Sequence, residues 1–73
     1  MIQADAFFAQ IVPEKTLVEV VMEKYFEGDC YEKFIYRGMV EDLDLKLISS
    51  CDVLKVRPIR NYKNEAVLKV TVK

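Results

Sequence analysis

Four carboxylates crowd the middle of the chain: Glu41, Asp42, Asp44 and Asp52. They come nearest to a chemical set, because Asp42 and Asp44 carry the hard oxygen ligands that a divalent cation prefers. Their spacing matches no calcium loop, and acids ahead of an apolar run also cap a helix and steady its first turn. The capping role is the reading adopted, with no metal. The chain has no histidine. General acid–base work near neutral pH therefore lacks its usual side chain, and no Ser–His or Cys–His pair can form within one chain. Ser49 and Ser50 have no evident base. Gly28 and Gly38 are the only glycines, too few for a phosphate-binding loop. Cys30 and Cys51 are the only cysteines and read as free, half-buried thiols, since a zinc site needs four ligands. These residues predict a protein that is not an enzyme and holds no metal or cofactor.

Basic residues carry the stronger signal. Residues 53–73 hold six of them, Lys55, Arg57, Arg60, Lys63, Lys69 and Lys73, against one acid, Glu65, a net +5. Residues 1–52 hold five basic and eleven acidic residues, a net −6. The overall charge of −1 hides a dipolar chain. Lys55, Arg57, Lys69 and Lys73 would form a stripe on one sheet face. Arg60, Tyr62 and Lys63 would extend it at a loop, where Tyr62 offers a ring to a base. Such a stripe suits a polyanion, but nucleic-acid domains are usually strongly basic overall. The alternatives are a solvated sheet face, an acidic protein partner, or the acidic half of a second copy. Like charges opposed across strands are destabilising, so a carboxylate must relieve this face. Glu19 and Glu23 do so internally if their strand lies beside the last two.

The elements that would position these side chains follow from periodicity. Ala4, Phe7, Phe8, Ile11 and Val12 share a helical stripe, and Pro13 stops it, which predicts a helix over 3–11. Residues 16–26 fit a helix ended by Gly28, and also a strand. Cross-strand pairing favours the strand. With a loop at Glu27-Gly28-Asp29, Met22 lies opposite Phe34, and Glu23–Lys33, Val21–Ile35 and Glu19–Arg37 pair on the outer face. Residues 38–50 read as a short helix or turn. Residues 53–73 read as a hairpin with Leu54 and Val56 inward, and Asn61-Tyr62-Lys63-Asn64 as its loop. Pro58 cannot donate to a ladder and belongs on an edge strand.

Pro13 to Thr16, Tyr36-Arg37-Gly38, the acids and leucines of 41–47 and the final hairpin form a pattern. In it the chain resembles small α+β proteins, of no characterised activity, from Gram-positive bacteria and their phages or mobile elements. The resemblance implies an α+β fold and carries no site residues.

Seventy-three residues make one domain, 1–73, of which 52% are apolar. So short a chain buries only about 60% of its unfolded surface. The surplus of apolar residues points to an interface. No apolar run spans a membrane and the start lacks a basic n-region, which predicts a cytoplasmic protein. The expectation is a single α+β domain with an N-terminal helix. Two β-hairpins form a mostly antiparallel four-stranded sheet, with a short helix or turn between them. Its expected role is a homodimeric protein-interaction module, with nucleic-acid binding as the alternative.

Overall fold

Valine decides the form of the second segment. The computed structural model describes residues 2–73, and Leu17–Phe26 is a strand, β1, with Val18, Val20 and Val21 buried. A β-branched side chain fits a pleated strand better than a helix. β1 pairs antiparallel with β2, Asp29–Met39. A second antiparallel pair joins β3, Val53–Arg60, to β4, Ala66–Val72. The order is β2-β1-β4-β3, with β1 and β4 parallel. The sheet is therefore mixed and mostly antiparallel, and β3, which holds Pro58, is an edge as its missing N–H requires.

The helix α1, Ala4–Gln10, precedes the sheet, and two 3-10 turns, Val40–Asp42 and Leu45–Ile48, join β2 to β3. All three pack on one sheet face. Phe8, Val40, Leu43 and Ile48 form a single core with Val18, Val20, Val70 and Val72. Burying side chains of this size contributes about 1.5–3 kcal/mol each. The N-terminal segment is laced to the start of β3. The Ala4 N–H donates to the Cys51 carbonyl and the Val53 N–H to the Ile2 carbonyl, both at 2.9 Å. Among the described residues, no helix is long and apolar enough to cross a membrane.

Three details differ from the sequence reading. In α1, Ala4, Phe8 and Val12 are buried but Ile11 is exposed, because the chain leaves the helix after Gln10. In β3, Val53 and not Leu54 faces the core, since Leu54 is the extra residue of a bulge between Val53 and Lys55. Leu54 and Val56 are both exposed.

The third difference concerns β1 and β2. The loop has two residues, not three: Glu27 and Gly28 take φ of 52° and 86°, and Asp29 already pairs with Phe26. Two successive positive φ values suit the right-handed twist of a tight antiparallel turn. The tip is thereby shifted one residue from the expected register, so Glu23 opposes Glu32 and Met22 opposes Lys33. At the other end the expected register returns, with Glu19 opposite Arg37. Ile35, unpaired between these stretches, absorbs the difference as a bulge. The bulge turns Phe34 outward opposite Val21, while Ile35 and Tyr36 pack against the core.

Candidate functional site

Lys55, Arg57 and Lys69 project from the sheet face opposite the core, as their partners Thr71 and Lys69 across β3 and β4 require. One row across this face runs Arg37, Glu19, Lys69, Arg57. Glu19 lies opposite Lys69 across the parallel pair, so the acidic strand does lie beside the basic ones. The bonds are nevertheless crossed. Arg37 donates to Glu19 Oε1 through Nη2 at 2.6 Å and Nε at 3.0 Å. Lys69 donates instead to Glu32 Oε1, at 2.9 Å, on the far side of β1. Lys69 holds the Glu32 carboxyl below its ordinary pKa. Lys55 and Arg57 form no ion pair among the described residues.

Lys73 lies over the Tyr25 ring, 5.4 Å from its centroid. The Tyr25 hydroxyl donates to Glu23 Oε1, and this bond lowers the Glu23 pKa. The same carboxylate pushes the Tyr25 phenol up to about 12. Cys30, opposite Tyr25, is exposed and its thiol is pushed up by desolvation and by Glu23. A thiol so shifted carries little thiolate and is a poor nucleophile. Cys51 is buried, so the two thiols are unlike each other rather than both half-buried.

Arg60, Tyr62 and Lys63 gather at the opposite end of the sheet, in the β3–β4 loop. Asn61 organises that loop: its Oδ1 accepts from the N–H groups of Lys63 at 2.9 Å and Glu65 at 3.0 Å. Its Nδ2 donates to Glu65 Oε1 at 3.0 Å. Arg60 Nη1 donates to the Asn64 carbonyl at 2.9 Å, and Asn64 takes a φ of 63°. Tyr62 is 89% exposed, with the Lys63 ammonium 5.7 Å from its ring centroid. A cleft of about 350 Å³ lies between this loop and the sheet, floored by Leu17, Ile59 and Val67 and rimmed by Arg37, Arg60 and Lys63 with the acids Glu19 and Glu65. The predicted basic stripe is thus two patches, Lys55, Arg57, Lys69 and Lys73 on the sheet face and Arg60, Tyr62 and Lys63 at the cleft.

The acidic cluster is dispersed. Glu41 pairs with Lys15 at 3.0 Å, and Asp44 accepts from the Lys46 N–H at 3.0 Å, capping the second 3-10 turn. Asp52 exchanges backbone bonds with Lys73. Among the described residues, no three His, Cys, Asp or Glu side chains are grouped to hold a metal.

Sequence reasoning missed a set of exposed aromatic side chains. Pairing of β1 with β4 ends at Met22 and Val72, while β1 and β2 continue to Phe26 and Asp29. Residues 23–32 therefore form a two-stranded arm that carries exposed Tyr25, Phe26 and Tyr31. The signal was available in the lengths: β1 has 10 residues and β2 has 11, against 7 in β4.

Comparison with known proteins adds no relative. No family model, curated protein or solved structure matches the chain. Its chemistry rests on its own residues.

Proposed function

We propose that this protein is a non-enzymatic interaction module that self-associates through the free edge of β2. The observation that carries the proposal is the arm. β2 is an edge strand with no neighbour beyond it, and its arm segment displays exposed aromatic side chains. An exposed edge presents unpaired N–H and C=O groups and invites another strand. A second copy is the occupant that the charges favour. In an antiparallel twofold pairing of β2 with β2 centred on Tyr31, Asp29 of each copy meets Lys33 of the other. Neither side chain has an ion-pair partner among the described residues. Centring the axis on Glu32 or on Lys33 instead would oppose like charges directly. The bulge at Ile35 limits pairing to the straight segment before it.

The non-enzymatic reading rests on the missing histidine and on the capping and pairing roles of the carboxylates. Polyanion binding through Lys55, Arg57, Arg60, Tyr62, Lys63, Lys69 and Lys73 is the lesser reading. Glu32 already occupies Lys69, and Glu23 lies in the field of Lys55 and Lys73. Light scattering from dilute to concentrated solution tests self-association. The expected mass rises to that of two chains and stays there. A mass of one chain throughout removes the proposal.

A further inference from the structure

We propose that the cleft beneath the β3–β4 loop binds a small aryl carboxylate. Leu17 opens β1, and Ile59 and Val67 are paired across β3 and β4, so the floor is apolar and set by three strands. The volume of about 350 Å³ lies at the low end for small-ligand pockets, which matches one or two fused rings. The rim supplies the sign of the ligand. Glu19 is paired with Arg37, and Glu65 keeps its charge while accepting from the neutral Asn61 amide, so Arg60 and Lys63 together leave the rim net positive. Arg60 and Lys63 have no carboxylate partner among the described residues. Arg60 spends one N–H on the Asn64 carbonyl, and guanidinium has five, so donors remain for a carboxylate. The Asn61 hydrogen bonds hold the loop in place before any ligand arrives, which lowers the ordering cost of binding. Tyr62, almost wholly exposed at the rim, offers a ring face to cover the ligand. The site lies at the end of β1 remote from the arm, so it stands or falls separately from self-association.

The test is an amide-resolved NMR titration of the full chain with indole-3-acetate, and in parallel with tryptamine, acetate and a capped Asp-Phe-Asp peptide. Indole-3-acetate is expected to shift Leu17, Ile59 and Val67 saturably, while tryptamine and acetate leave them unmoved. Arg60→Gln is expected to weaken binding about tenfold, the loss of one charge-assisted hydrogen bond. Lys63→Gln is a second exposed substitution that leaves the fold intact and should weaken binding in the same direction. Equal binding of tryptamine, shifts centred elsewhere, or no effect of either substitution would overturn the assignment. Tighter binding of the capped peptide would overturn the small-ligand identity.

Discussion

Glu32 on β2 reaches over β1 to Lys69 on β4, with its Oε1 2.9 Å from the lysine Nζ. The bridge crosses the position of Val21, which is only 6% exposed although α1 and the 3-10 turns all pack on the other face. Arg57 stands directly opposite Lys69 on β3, and Glu32 lies in the field of both cations. One carboxylate thus relieves a like-charge pair and closes the centre of an otherwise open sheet face.

Removing that bridge has a signed pH dependence. Lys69 lowers the folded-state pKa of Glu32. The contribution is therefore present above the ordinary carboxylate range and is lost as pH falls through the lowered value. Because the Glu32 side chain is 41% exposed, solvent screens the pair, and Glu32→Gln should cost only about 0.5 kcal/mol near neutrality. Urea unfolding at neutral pH and in strong acid checks this, with the difference between wild type and variant vanishing in acid.

Tyr25 should titrate above the ordinary phenol range. Its hydroxyl is bound to Glu23, which pushes the phenol up to about 12. Glu23→Gln removes the charge and leaves only a neutral amide oxygen as acceptor, so the transition should move down toward the ordinary phenol value. Ring-resonance NMR against pH reads the shift directly.

Gly38 is expected to tolerate no side chain. Its φ is 152°, and a Cβ there would meet the Tyr36 hydroxyl at 2.6 Å. That hydroxyl is held in place by donating to the Met39 carbonyl at 2.8 Å. Gly38→Ala should destabilise the fold by about 1–3 kcal/mol, measured by thermal or urea unfolding.

The turn of the arm can be improved. Glu27 sits at a φ of 52°, where Asn is more at ease, and Gly28 follows it. Glu27→Asn should stabilise the protein by about 0.5–1 kcal/mol, read as a raised melting temperature.

Sequence periodicity was enough to place α1, the strand character of β1, the Glu19–Arg37 pair and Pro58 on an edge. Each depends on neighbours in the chain or on one cross-strand match. What it missed in the first hairpin depends on the two positive φ values of its turn. Counting Asp29 as loop put Phe34 inward and Glu23 against Lys33. The two-residue turn and the compensating bulge at Ile35 reversed both. The basic face was legible as a stripe, but periodicity leaves open whether Glu19 lies beside it, and the parallel pairing of β1 with β4 sets Glu19 opposite Lys69. The crossed choice of partners was not legible, because it joins β2 to β4 over an intervening strand. The cleft was hidden for the same reason, since its floor joins the start of β1 to the distant final hairpin.

The central claim, self-association through β2, is tested most directly by swapping charge across the proposed axis. Lys33→Asp would set two acids against each other at each end of the pairing, and Asp29→Lys two bases. Each single variant should sediment as one chain at concentrations where the wild type sediments as two. The double variant, Asp29→Lys with Lys33→Asp, restores opposite charges and should recover the dimer. Identical masses for all four proteins would contradict the account.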